Sequence, residues 1–179
     1  MTTWIGLLRG INVGKAKRLA MADLRRLVED AGYTDARTLL NSGNVVFRGK
    51  PERADRVAAR LVRAVEETAG FHANVVVLSA ATLATVVAEN ALAAQATDPA
   101  RLLVAFVQDG QRLADLRPLA AKDWPDEALA VGTHAAYLWS PRGILESAAI
   151  EAVGRVLGDQ GTTRNWATVQ KLAALAQGG

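Results

Sequence analysis

The order of apolar segments over residues 3–78 constrains the fold of this chain more than any other feature of the sequence. Four short runs have the length and composition of strands, and they cover residues 3–8, 36–40, 44–48 and 73–78. Two segments with helical spacing separate them, one from Met21 to Gly32 and one from Pro51 to Gly70. This order of strand, helix, strand, strand, helix and strand predicts a ferredoxin-like half over residues 1–79.

A similar order follows a connecting stretch at residues 80–100, where a helix capped by Ser79 leads into turns around Pro99. The segments of residues 101–179 are a strand at 102–107, a helix marked by Leu113 and Leu116, strands at 128–131 and 135–139, and a helix at 150–157. Residues 161–165 are interpreted as a loop, so this second half ends in a helix where the first half ends in a strand. We therefore predict an α+β chain of two ferredoxin-like halves packed together, with a C-terminal helix on the second.

The composition narrows the class of protein. The chain contains no cysteine, which excludes disulfides, thiol catalysis and thiolate metal sites. No run approaches the roughly 18 apolar residues of a membrane span, and the N-terminus lacks the basic start and apolar length of a signal peptide. We therefore expect a cytoplasmic protein without a membrane partner, and the sequence leaves the oligomeric state open.

The positive charge of the chain is concentrated near its N-terminus. The formal net charge is +3, yet residues 9–26 alone hold six basic side chains and one carboxylate. This asymmetry indicates one electropositive patch rather than a basic protein that coats nucleic acid.

The most unusual segment follows the first predicted strand and reads GINVGK over residues 10–15. It has one residue too few between its glycines for a P-loop, and Ala16 stands where a magnesium-binding hydroxyl belongs. A basic loop before a helix can still offer backbone N–H groups and a lysine to an anion. The alternative is a tight strand-to-helix turn with solvated lysines. The candidate ligand-binding residues here are Arg9, Gly10, Asn12, Gly14 and Lys15.

Two further polar segments are candidates for the same site. Residues 41–44 read NSGN, a pattern typical of a hairpin turn, although its amide side chains can also bind a polar ligand. Residues 161–166 read GTTRNW before a C-terminal helix, which Thr163 or Asn165 can cap. That loop would present backbone N–H groups, hydroxyls and a guanidinium to an anion, although a simple helix cap needs no ligand. The candidate residues of both segments are Asn41, Ser42, Asn44, Thr162, Thr163, Arg164 and Asn165.

The groups required for common catalytic mechanisms are not found together. None of the three segments contains a carboxylate, so metal-assisted phosphoryl transfer and carboxylate acid–base catalysis lack their usual residues. His72 and His134 lie outside all three segments. The sequence shows no nucleophile motif, zinc spacing or calcium loop, so we assign no catalytic residue, metal or cofactor. Whether the protein is an enzyme stays open.

The same segments carry a resemblance to a known family. The motifs LLRGINVG at residues 7–14, NSGNVVF at 41–47 and TTRNW at 162–166 closely resemble, in the same order, a bacterial family catalogued as domain of unknown function 1697. One departure is the single Gly14 before Lys15, where the family has two glycines, and this lowers the flexibility of the loop. The resemblance implies an α+β fold of two ferredoxin-like halves, and it implies no established activity.

The leading hypothesis is a binder of a small anionic ligand, phosphate-bearing or nucleotide-like, at a polar site between the two halves. In this hypothesis Arg9, Lys15 and Arg164 neutralise the anion. The backbone of residues 10–14 and 162–163 donates N–H groups. The ligand is oriented by three asparagines: Asn12, Asn41 and Asn44.

Two other hypotheses stay open. One is nucleic-acid binding through the basic residues 9–26, against which the aromatic fraction is only 5% and no RRM-type aromatic motif is present. In the other, Arg9, Arg164 and the asparagines form a buried hydrogen-bond network that joins the halves without a ligand. Substitution of Arg9 separates the hypotheses, because a structural role predicts a large loss of stability and a binding role predicts a loss of binding.

Overall fold

Two four-stranded antiparallel sheets form the framework of the protein, for which a computed structural model describes residues 1–178. Each sheet belongs to one unit of the chain. The first unit contains Met1–Ala81 and the chain from Leu172, and the second contains Thr82–Lys171. Each unit has a hydrophobic core between its sheet and its helices.

The first unit has the predicted order of elements: β1 (Thr2–Leu8), α1 (Met21–Asp30), β2 (Thr34–Leu39), β3 (Asn44–Gly49), α2 (Ala54–Ala69) and β4 (Val75–Ser79). Its strands pair in the order β2-β3-β1-β4, and every pairing is antiparallel, which is the ferredoxin-like topology. α2 begins at Ala54 rather than at the predicted Pro51, because Arg53 is its N-cap and still has an extended backbone (ψ 133°).

Both faces of the first sheet are buried at its two central strands, β1 and β3. Trp4, Val45 and Phe47 point to one face, where they pack with α1 and α2 in the core. Ile5 and Val46 point to the opposite face and are also fully buried. Strands that are buried on both faces are apolar at successive positions, which explains why these strands appear in the sequence as continuous apolar runs.

The second unit repeats the topology of the first. The remaining elements are α3 (Ala80–Ala88), β5 (Leu102–Val107), α4 (Gln111–Ala114), α5 (Arg117–Ala120), β6 (Ala128–Val131), β7 (Ala135–Trp139), α6 (Ala148–Leu157), β8 (Gly161–Asn165) and α7 (Trp166–Gln177). The strand order is β6-β7-β5-β8. The single helix predicted between β5 and β6 is divided into α4 and α5, because Pro118 lacks the N–H group that would continue the helix. No helix in residues 1–178 is both long and apolar enough to cross a membrane.

The prediction of a loop at residues 161–165 is wrong. These residues form β8, which pairs with β5 along its whole length and completes the second sheet. A period of two is present here, since Thr162 and Arg164 are buried whereas Thr163 is exposed. Hydrophobic periodicity does not detect this strand because its buried side chains are polar. The second unit therefore has all four strands of the fold, and the helix predicted after them is α7.

Candidate functional site

Three loops of the first unit lie together at one end of its sheet. They are residues 9–20, 40–43 and 70–74. The backbone N–H of Leu8 donates to Gly43 O at 2.8 Å, and the backbone N–H of Arg9 donates to Asn74 O at 2.9 Å. These bonds extend the pairing of β1 with both neighbouring strands and hold the three loops side by side.

Asn12 holds the first of these loops in shape. Its Oδ1 accepts a hydrogen bond from the backbone N–H of Leu19 at 2.8 Å. Its Nδ2 donates to Leu19 O at 2.8 Å and to Asn41 O at 2.9 Å. Asn12 adopts a left-handed conformation (φ 55°), which asparagine tolerates better than most residues. The side chain predicted to orient a ligand therefore closes its own loop and joins it to the β2–β3 hairpin.

Gly43 allows the hairpin to contact the first loop closely. Its φ is 88°, in the left-handed region that favours glycine. A Cβ atom at this position would lie 2.8 Å from Leu8 Cβ and 2.9 Å from Ile11 Cδ1. The glycine predicted as a turn former is thus required for both its backbone conformation and the space it leaves.

Asn44 is fully buried at the start of β3. Its Nδ2 donates to Leu39 O and to Ser42 Oγ, both at 2.9 Å, so both amide hydrogens are used inside the hairpin. Asn41 and Ser42 are exposed at the tip of the hairpin. Among the three asparagines predicted to orient a ligand, Asn41 is the exposed one.

The surface of the first loop is positively charged. Its exposed residues include Arg9, Gly10, Gly14, Lys15, Lys17 and Arg18. Arg18 Nη1 donates to Gly14 O at 3.2 Å. Residues 14–15 form a turn that is closed by the backbone N–H of Ala16 and Val13 O, and within residues 1–178 the backbone N–H groups of residues 13–15 donate to no other group of the chain. Three successive backbone donors without an acceptor therefore lie in an exposed loop that also carries Lys15, Lys17 and Arg18.

The N-terminus of α1 follows this loop directly. Its N-cap residue is Ala20, whose side chain cannot accept a hydrogen bond from the first turn of the helix. Asp23 lies in that turn, and its carboxylate is 3.5 Å from the guanidinium of Arg26. The uncapped N–H groups and the helix dipole add positive potential to the basic loop.

His72, in the third loop, is a neighbour of this site that the sequence motifs do not indicate. Its Nδ1 is 2.5 Å from Glu66 Oε1, and its Nε2 is 2.9 Å from Asn74 Oδ1. The hydrogen bond with Glu66 raises the pKa of His72, and the positive charge of Lys17 opposes this rise. His72 is far from residues 9–20 in the sequence, and only the pairing of β1 with β4 brings the two loops together.

Arg164 belongs to the second unit and lies on the buried face of β8. Its Nη1 donates to Thr162 Oγ1 and to Thr163 O, both at 2.8 Å. Its exposure is only 9%, and burial lowers its pKa to about 10 because the desolvated guanidinium is less stable in its charged form. Arg164 is therefore a buried cation that is still charged at neutral pH, not the exposed side chain of a loop.

Asn165 caps α7. Its Oδ1 accepts a hydrogen bond from the backbone N–H of Thr168 at 2.9 Å, the geometry of an N-cap, which confirms one of the two predicted caps. Thr163, the other candidate cap, is exposed on β8, and Trp166 is buried in the first turn. That residues 162–165 share one site with the loops of the first unit stays a prediction.

The loop cluster of the first unit is rich in hydrogen-bond donors and positive charge. In the part of the chain that the structure describes, no three His, Asp or Glu side chains are close enough together to hold a metal ion. The cluster offers backbone N–H groups, lysine and arginine side chains and one exposed asparagine. These groups can neutralise and orient an anion.

The fold and these loops define an α+β protein of two ferredoxin-like units with a basic, asparagine-stabilised loop at one end of the first. A family model described as "Protein of unknown function (DUF1697)" matches residues 1–137, so the chain belongs to this family. The chain is also similar to the solved structure of the conserved bacterial protein SP0830 from Streptococcus pneumoniae. The two share 24% sequence identity over 98% of each chain with a TM-score of 0.80, a likeness that shows the fold. No curated protein matches this chain.

Proposed function

We propose that the exposed part of the loop at residues 9–20 binds a small anionic ligand, phosphate-bearing or nucleotide-like. The observation that carries this proposal is the run of three backbone N–H groups at residues 13–15 that have no acceptor within residues 1–178. Proteins commonly hold phosphate with such donors, close to a helix N-terminus and a basic side chain. Here α1 supplies the helix N-terminus, and Lys15 supplies the basic side chain.

The rigidity of the loop supports the proposal. Asn12 closes the loop through Leu19 and ties it to Asn41, so the donors are positioned before any ligand arrives. A preorganised loop loses less conformational entropy on binding than a flexible one, and more of the interaction energy is available for affinity.

The charged side chains have separate roles in this proposal. Lys15, Lys17 and Arg18 neutralise the ligand at the loop, and Arg9 contributes at its base. Arg164 stays a predicted contributor of positive charge. A pKa of about 10 leaves its guanidinium protonated at neutral pH.

A structural role is the second candidate for two of the asparagines. Both Nδ2 hydrogens of Asn44 are used inside the β2–β3 hairpin, and Asn12 uses its amide to hold the first loop. Polar groups that are satisfied in this way stabilise one conformation of the backbone. For these two residues we therefore expect substitution to change stability first and ligand binding as a consequence.

The proposal is tested by thermal-shift and calorimetric titration of the full chain with phosphate, pyrophosphate and a nucleoside triphosphate. We expect at least one of these anions to stabilise the wild type. A Lys15→Ala, Arg18→Ala double variant should bind that anion about 100-fold more weakly, since a hydrogen bond to a charged group contributes about 1.5–3 kcal/mol.

The matched control is Lys50→Ala, which removes an exposed cation that follows β3, at the opposite end of that strand from the hairpin. Its affinity should equal that of the wild type. The proposal is wrong if no anion shifts the melting temperature, or if Lys50→Ala weakens binding as much as the double variant. Preferential binding of a duplex oligonucleotide, with a steep decrease in affinity as salt rises, would favour the nucleic-acid hypothesis instead.

A further inference from the structure

β6 is the edge strand of the second sheet, and it lacks the features that protect the equivalent edge of the first sheet. Its sequence is ALAV, and it pairs with β7 in a regular register. In residues 1–178 no strand pairs with its outer side. A regular, apolar edge strand is a template for another strand, because its outward N–H and C=O groups can continue the ladder.

β2 occupies the equivalent position in the first sheet and is protected. Its register with β3 shifts between Thr34 and Arg37, and Asp35 between them has a left-handed backbone (φ 55°). The Asp35 carboxylate lies 3.8 Å from the guanidinium groups of both Arg37 and Arg48. Bulges and charges of this kind prevent a further strand from pairing. The two edges therefore differ although the strand order is the same.

The hydrogen-bond pattern shows which groups of β6 face outward. The backbone N–H of Gly132 donates to Ala135 O at 2.8 Å across the β6–β7 hairpin. Bonded pairs alternate along an antiparallel ladder, so Ala130 also points its backbone groups at β7. The backbone N–H and C=O groups of Leu129 and Val131 then point to the outer edge.

The flanking residues restrict the register that an added strand can take. The backbone N–H of Glu127 donates to Trp124 O at 3.1 Å, and that of Thr133 donates to Glu89 Oε2 at 3.0 Å. Both donors next to the edge are thus already used. An added antiparallel strand can use the groups of Leu129 and Val131, which allows four hydrogen bonds.

We propose that this edge pairs with β6 of a second copy of the chain, in an antiparallel register about a two-fold axis at Ala130. In this register Leu129 of each copy exchanges two hydrogen bonds with Val131 of the other, and all four outward groups are satisfied. Ala130 then faces Ala130 of the second copy in a non-hydrogen-bonded pair, with Cα atoms about 4.5 Å apart. Alanine is small enough for this close approach.

The hydrogen-bond pattern of the strand is self-complementary about Ala130, and this favours a second copy over an unrelated partner; the residues at its two ends can also form hydrogen bonds between copies. The proposed register places the exposed Asp126 of one copy opposite the exposed His134 of the other. Asp126 already pairs with Arg142 at 2.5 Å, and Thr133 beside His134 binds Glu89, so the added attraction is modest.

Cysteine cross-linking tests this register, because the chain has no cysteine of its own. Ala130→Cys should form a covalent dimer under mild oxidation, since Cα atoms 4.5 Å apart are within the range of about 4.4–6.8 Å found for disulfides. Ala128→Cys should form the covalent dimer about tenfold less. In the proposed register residue 128 faces Gly132 of the second copy and lies about 13 Å from residue 128 of that copy. Thr34→Cys, on the protected β2, is the control for random collision.

Sedimentation analysis of the wild type at increasing concentration provides the second measurement. We expect a weak, concentration-dependent dimer, because a four-residue edge buries little area. Ala130→Lys should abolish the dimer by placing two ammonium groups across the axis, with its melting temperature measured to verify folding. The proposal is overturned if Ala130→Cys does not cross-link, or if Ala128→Cys or Thr34→Cys cross-links equally well. A wild type that stays monomeric at the highest concentration would overturn it as well.

Discussion

The two units share one strand order and differ in the connection that follows their first strand. In the first unit twelve residues, 9–20, separate β1 from α1, whereas in the second unit only residues 108–110 separate β5 from α4. The shorter connection supports the same sheet, so the ferredoxin-like topology does not require the longer one. The additional residues of the first unit carry the glycines, the asparagine and the exposed cations of the candidate site, and for this reason the proposed ligand site is assigned to this loop.

The hairpins of the two units differ in a corresponding way. β3 begins with Asn44 opposite Leu7, and β7 begins with Ala135 opposite Phe106, so the two residues occupy equivalent positions in their sheets. Both are fully buried. The first unit therefore has a buried polar side chain where the second has a methyl group, and this side chain supports the four-residue turn that contacts the basic loop.

The largest effect is expected at that turn. Gly43→Ala should lower the free energy of unfolding by about 3 kcal/mol, because it combines a strained backbone with overlap against two side chains. Gly14→Ala is the matched control, since Gly14 also has a positive φ (66°) but has open space around its Cβ position. It should cost about 1 kcal/mol. Urea denaturation measures both, and equal losses would show that the contact with Leu8 and Ile11 is unimportant.

A smaller loss of stability is expected when Asn44 of the first unit is replaced by alanine, the residue at the equivalent position of the second unit. Asn44→Ala should lower the free energy of unfolding by about 2 kcal/mol, because Leu39 O loses a buried donor. Asn41→Ala, at the exposed tip, should change it by less than about 0.5 kcal/mol. If Asn44→Ala were as stable as the wild type, the Asn44 side chain would not be needed to support the turn of the first unit.

The smallest effect concerns the single tyrosine of each unit. Burial raises the pKa of Tyr33 to about 12, and burial also raises the pKa of Tyr137, whose hydroxyl donates to Val86 O at 2.6 Å. The tyrosine hydroxyls of the unfolded chain ionise near pH 10. The stability that the raised pKa values contribute is therefore complete below about pH 10 and is lost as the pH rises towards 12. Tyr33→Phe and Tyr137→Phe should each weaken the pH dependence of stability in this range.

Ultraviolet absorbance of tyrosinate checks the same prediction in the folded wild type. Both tyrosines should ionise only above pH 10. If alkali unfolds the protein before they ionise, their ionisation should coincide with unfolding. A tyrosine that ionises near pH 10 while the protein is still folded would contradict the assigned burial. The two Phe variants identify which unit it belongs to.

Much of the fold could be predicted from local patterns. The strands predicted at 102–107, 128–131 and 135–139 are confirmed with the same bounds, because turn-forming residues flank their apolar runs. β8 could not be found in this way, since Thr162 and Arg164 are polar residues that become buried only when the strand pairs with β5. The candidate segments were identified from their residue types, but the partners of Asn12 and Asn44 were not, because hydrogen-bond acceptors in turns depend on how the chain folds around them.

The sequence by itself determined the ferredoxin-like order of the first unit, that of the second unit as far as α6, the family, and the concentration of positive charge in residues 9–26. These properties are local, since helical and strand periods, turn residues and charge are all encoded within short windows. Only the tertiary structure decided which polar side chains support the backbone and which face solvent, and which sheet edge is protected. Burial and hydrogen bonding are set by residues distant in the chain, so Asn44 and Arg164 are interior groups, whereas Lys15 is exposed and the backbone donors of residues 13–15 have no acceptor within residues 1–178.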